Sequence, residues 1–536
     1  MRTHQVCKPW TAGLAVFLAA GFVACGMAED DAGAGGSASF DPNGGGGSGQ
    51  NQADAGTQPE PEFELPLSEP QAGVHFVYLT DSSLDSVVRI AADSLAVDLI
   101  EVGQSPDVLT VIPGTDDAVV LSSTAEELSL IRTDSDGNAK VTQLGIGKGY
   151  NTVTLGPDGK SAILWFRAAA AVPVTSLGPL QSITLLRMDS GKETTIEVSV
   201  GFEPQNVVYS ADGATAYVIT RDSITPIVVA TVTGAELIPP ILLSDGVDEL
   251  AVEREVQITP DGTTAIVRVL GKAELRRMWL DNGETQTLAL PGEPTDLDLL
   301  PDGTIALVVL KSTAQLALVD LVADWETGSV LTLLDLPQKS FASAKLNDNG
   351  TLAILSTTDS KVEQVMVLNL ETQQLTGILL QKPVQSVAIA PDGEHAVVVH
   401  QQKTTDGGAT PSQQVDQQID GKPGYSIIHL PSSYVKLFVT DVPVTQVAFA
   451  PEMEKVYVLL PGSGNTSDHQ LSWVELGPLL ESRLSLVTKP IHLIPVSTVG
   501  RMAISQEHSS GRITFVDTTT NQTQTITGFE LNGLIN

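Results

Sequence analysis

The chain has 536 residues, with 29 Lys and Arg against 64 Asp and Glu for a formal net charge of −35. A surface this acidic repels phosphate backbones and anionic lipid headgroups, which excludes nucleic acid as a general partner. Hydrophobic residues make up 42% and aromatic residues only 4%, a balance that excludes overall disorder and points to a body of aliphatic strands.

In chain order, residues 1–24 read as an export signal. Arg2 and Lys8 give a basic start, and Thr11 to Ala24 is an uncharged, mainly apolar run, too short to span a bilayer. Its end, F-V-A-C-G at 22–26, resembles the lipobox of bacterial lipoproteins, in which the Cys becomes the lipidated first residue of the mature chain. The resemblance implies lipid attachment at Cys25, although Phe22 stands where Leu is usual; ordinary cleavage nearby, without a lipid, is the other reading. Cys7 lies inside the signal, so the mature chain is expected to form no disulfide. Residues 25–66 are dense in Gly, Ser, Asp and Pro and read as a flexible tether with an end-to-end distance on the order of 35 Å.

From residue 67 to 536 one pattern recurs. VAIAPDGEHAVVVH at 387–400 has relatives at LTVIPGTDDAVVL (109–121), VTLGPDGKSAILW (153–165), VVYSADGATAYVI (207–219), VQITPDGTTAIVR (256–268), LDLLPDGTIALVV (297–309), AKLNDNGTLAILS (344–356), VAFAPEMEKVYVL (447–459) and, weakly, IHLIPVSTVGRMAI (491–504). Apolar alternation on either side of Pro-Asp-Gly predicts a hairpin: Pro fixes φ, Asp bonds back to the backbone, and Gly takes the positive-φ site. The nine copies lie 41 to 60 residues apart, and each is followed by a second strand pair, as in SITLLRMDSGKET at 182–194. Four strands per unit predict propeller blades. Residues 76–102 match only the last three strands of a unit, while the tail GFELNGLIN (528–536) resembles GFEPQNVVY (201–209), which leads into a first strand. The expectation is an all-β propeller of about ten four-stranded units, with seven or eight blades as the alternative, closed by one blade shared between the N- and C-terminal strands.

VYLTDSSLDSVVRI at 77–90 and the PDG hairpins resemble the YVTN-type, WD40-like propellers of bacteria, of the quinoprotein amine dehydrogenase-like superfamily. The resemblance covers roughly residues 75–536. It implies the fold and leaves function open, because the family spans lactonases, electron-transfer subunits, surface-layer proteins and binding scaffolds. It also implies that the PDG turns lie on the face away from the ligand face, so their recurrence is structural.

Local chemistry is sparse. DSDGN at 134–138 has the oxygens of half a calcium loop but falls at the last hairpin of a unit and reads as a turn; DGVDELAVERE at 245–255 is a denser set of carboxylates that reads as a solvated acidic connection. No His pair shows metal-ligand spacing, and His395 and His400 bracket one strand and point to opposite sheet faces. There is no nucleophile elbow, phosphate loop or haem-attachment motif. No metal, cofactor or catalytic residue is expected.

Two features gather on the ligand face. Long connections occupy 167–181, 401–424 and 461–470, and four successive units end their second strand with a cation: Arg167, Arg221, Lys272 and Lys311. The inserts at 401–424 and 461–470 fall on adjacent blades, with Tyr425 and His469 as contact candidates. The reading is a lipid-anchored scaffold of the bacterial cell envelope, at the outer membrane facing periplasm or surface, that binds or assembles protein or glycan partners. A lactonase-like or quinoprotein-like enzyme with a site assembled from several blades, and a structural surface protein, are the alternatives.

Overall fold

The computed structural model describes residues 71–168, 178–243, 254–326, 329–402, 418–462 and 468–529. Ten antiparallel four-stranded sheets follow one another along the chain. Blade 1 spans 71–101, blade 2 108–145, blade 3 152–199, blade 4 204–242, blade 5 254–289, blade 6 296–335, blade 7 343–379, blade 8 384–439, blade 9 446–485 and blade 10 490–527. In every blade the four strands pair in chain order, and the first strands of neighbouring blades touch at most of the joints, so the first strand is the innermost. The ten-unit count holds, and every quoted hairpin supplies the first two strands of its blade.

Alternating apolar residues explain the ring. A central strand sends successive side chains to opposite faces, and each face packs on a different neighbour: in blade 4, Ala216 and Val218 face blade 3, while Tyr217 and Ile219 face blade 5. Ten aliphatic cores result, one between each pair of neighbours. Blades 1 and 10 share the core of Val77, Leu79, Ile494, Val496, Phe515 and Phe529, and Arg501 Nη1 donates to the Ala92 carbonyl across this seam at 2.6 Å.

The closure differs from the sequence expectation. The described first strand of blade 1 is Gln71–Ala72, paired with Phe76–Asp81 through Gln71↔Tyr78 and Ala72↔Val77. Thus an N-terminal segment takes a place beside the second strand that was assigned to the tail, because a tight reversal at 73–75 lets the chain pair with itself. Of the tail 528–536, only Gly528 and Phe529 lie within the described residues, and Phe529 is buried at the seam.

The PDG turns do more than reverse the chain. Gly303 N–H donates to the Leu300 carbonyl and Thr304 N–H to Asp302 Oδ1, with Gly303 at φ +70°. Its α-carbon also nests on the turn of the preceding blade, where a β-carbon would stand 2.8 Å from Pro260 Cδ; at Gly350 the same atom would stand 2.5 Å from Pro301 Cδ. Only a glycine gives both the left-handed backbone and this approach. The proline of one blade thus seats the glycine of the next.

Candidate functional site

Antiparallel order puts the connections between second and third strands, and those leading to the next blade, on one face, opposite the PDG turns. The four cations stand there on blades 3 to 6. Arg167 is exposed and its backbone is held by both ends of the Asn151 carboxamide. Arg221 faces Glu203 at 3.7 Å, with 48% of its side chain exposed. Lys272 is half-buried, and Lys311 is exposed at the start of a single 3-10 turn. They follow the second strands of four successive blades.

The two aromatic candidates are both buried. Tyr425 is wholly buried, so it is not a surface contact: its ring stacks on Phe438 with centroids 5.0 Å apart, and its hydroxyl lies 3.2 Å from both Ser472 Oγ and Glu481 Oε1 of blade 9. The third strand of blade 8 begins at Gly424, which puts residue 425 on the face towards blade 9 and removes it from the connection. Burial pushes its hydroxyl well above the usual phenol range. His469 is also buried, with Nδ1 lacking a hydrogen-bond partner. Residues 169–177, 244–253, 403–417 and 463–467 of the long connections, and Cys25, lie outside the described residues.

Asp134 closes its turn by accepting from the Asp136 and Asn138 backbone N–H groups. Among the described residues no His, Cys, Asp and Glu group has metal-binding geometry, and no helix is long and apolar enough to cross a membrane. His395 pairs with Asp392 at 2.9 Å and packs against His429 with the rings tilted by 54°, while His400 is buried between the Pro383 carbonyl and Ser426 Oγ. Burial pushes the His400 imidazole down to about 4, so it is neutral at physiological pH.

One site escaped the sequence reading. A cavity of about 500 Å³ opens at the inner ends of blades 4 to 6, lined by Gln205, Asn206 and Ile219 of blade 4, Arg254, Glu255, Val256, Gln257, Arg268 and Leu270 of blade 5, and Asp296 of blade 6. First strands start and second strands end on the face of the long connections, so the cavity belongs to that face. Arg268 Nε holds Glu255 Oε2 at 2.7 Å and Nη1 donates to the Pro294 carbonyl. Asp296 Oδ2 accepts from Ala344 N–H at 2.6 Å. Two residues along, Asp298 has one carboxylate oxygen buried without a partner. Burial, then repulsion from Asp296 and Glu255, pushes its carboxyl up to about 7, against the pull of Lys345; burial also raises Asp296.

No family model and no curated protein matches the chain. Solved structures do: a eukaryotic initiation factor (11% identity, 79% of this chain and 97% of that one, TM-score 0.49), the dihydro-heme d1 dehydrogenase NirN in complex with DHE (16%, 71% and 75%, 0.41) and apo AztD from Citrobacter koseri (13%, 68% and 94%, 0.38).

Proposed function

We propose that this protein is a lipid-anchored, YVTN-type propeller of the bacterial cell envelope, held through Cys25 at the outer membrane, that acts as a binding or assembly scaffold for a protein or glycan partner. The observation that carries the reading is the one-sidedness of the ring: the long connections after the second strands of blades 3, 8 and 9 all leave from one face, and those of blades 8 and 9 are neighbours. Variable loops on a rigid scaffold are where recognition is built. The Gln, Thr, Ser and Gly content of 401–424 suits adaptable polar contacts.

Replacing 403–417 with a short Gly-Ser link, which spares the Ile419 and Asp420 carbonyls that hold the buried Lys382 ammonium, is expected to leave folding intact and to abolish a partner recovered by crosslinking in envelope extracts. Retention of the same partners sinks the assignment. Cys25→Ser is expected to release the chain to the soluble fraction and end palmitate labelling. Continued labelling removes the anchor. The polar lining of the cavity at blades 4 to 6 favours a second reading, an enzyme assembled from several blades, tested by lactone hydrolysis or quinone-dependent dye reduction that Arg254→Ala, in that lining, abolishes.

A further inference from the structure

We propose that the cavity at the inner ends of blades 4 to 6 is a binding site for a neutral saccharide. The inference does not rest on the scaffold reading, whose contact surface lies on blades 8 and 9.

The balance of charge argues against an ionic ligand. The lining holds Arg254 and Arg268 against Glu255 and Asp296, two of each sign, and Arg268 and Glu255 already neutralise each other at 2.7 Å. A ligand with net charge would be taken out of water with no surplus counter-charge to receive it, and that desolvation is costly. A ligand rich in hydroxyls loses far less on entry and can use groups of either sign.

The lining is built for such a ligand. Three carboxamides line it, Gln205, Asn206 and Gln257, each with two donors and one acceptor oxygen, the oxygen of Asn206 already accepting from Val207 N–H. Gln205 is exposed and its side chain has no hydrogen bond among the described residues. Gln257 makes only long contacts, 3.4 Å to Glu255 Oε1 and to the Leu297 carbonyl. Planar amide, carboxylate and guanidinium groups side by side match neighbouring hydroxyls in pairs. Ile219, Val256 and Leu270 add an aliphatic wall, with Leu270 50% exposed, to cover the C–H face of a sugar ring. The volume falls within the roughly 300–1,000 Å³ of small-molecule sites.

The test is binding of the labelled full chain to an array of immobilised mono- to tetrasaccharides with neutral, amino and anionic members. Signal is expected on neutral members, reduced at least about 10-fold by Leu270→Trp, which fills the cavity, and by Gln205→Ala, which removes a free donor. Both sites are exposed, and an unchanged melting temperature verifies that both variants fold. Signal confined to amino or anionic members, no signal on any member, or neutral-glycan signal that survives Leu270→Trp each overturns the proposal.

Discussion

Asp298→Asn is expected to stabilise the ring in a pH-dependent way. The carboxyl titrates near 7 in the folded protein and near 3.9 in an unfolded chain, so the folded state binds its proton more tightly. Below about pH 4 both states hold the proton and there is no penalty. As pH rises from about 4 to 7 the unfolded chain ionises first, folding loses stability, and above 7 the loss is constant. Between pH 5 and pH 8 the folded group passes through about two units of this window, worth up to about 2.7 kcal/mol at ~1.36 kcal/mol per unit. An uncharged Asn escapes that loss. With an unfolding entropy of about 2.1 cal/mol/K per residue, a ring of roughly 460 residues gains about 1 °C per kcal/mol. The advantage of Asp298→Asn over wild type is therefore expected to be up to about 3 °C larger at pH 8 than at pH 5. Differential scanning calorimetry at the two pH values measures it. An advantage equal at both would refute the claim that a buried, repelled charge forms at residue 298.

Gly350→Ala meets both the left-handed backbone at φ +67° and the Pro301 ring, whereas Gly114→Ala meets φ +73° with nothing within 4 Å; the first is expected to cost about 2–4 kcal/mol and the second about 1, and equal losses in thermal melts would disprove the nesting of turns. Met453 holds φ +58° where other blades carry Gly, so Met453→Gly is expected to gain about 0.5–1 kcal/mol by relieving strain, net of glycine's entropy, and a lower melting temperature would count against it. Arg501→Ala strips the seam of its bond to the Ala92 carbonyl and is expected to cost about 1–3 kcal/mol, seen as faster amide exchange in blades 1 and 10 before the others; uniform acceleration would show that the seam is no weaker than any other joint.

The blade count was legible because its signal is local. Pro, Asp and Gly within four residues determine a turn, and alternation beside it determines two strands. The first strand of blade 1 was missed because it is two residues long and carries no alternation to read. Tyr425 was assigned to a loop because its neighbour 401–424 is polar, while its burial is set by register: Tyr425 lies opposite Phe438 and reaches into blade 9. The cavity was invisible for a different reason. Asn206, Arg254 and Asp296 are each more than 40 residues apart in sequence, and only the stacking of successive blades brings them together. Asp296 and Asp298 read as ordinary strand-start acids until the burial and the repulsion between them are known.

The seam between blades 1 and 10 has a mechanical consequence. Every other joint in the ring is also bridged by a covalent connection, whereas among the described residues this one is held by side-chain packing and side-chain hydrogen bonding. Any pull along the chain that precedes Gln71 enters the ring at that same joint, through a strand anchored by two residue pairs. Behind it lies Phe76–Asp81, whose Val77 and Leu79 belong to the seam core. Under tension the inner edge of blade 1 is the first element to peel, and the ring opens where its two ends meet while the other nine joints keep their covalent links.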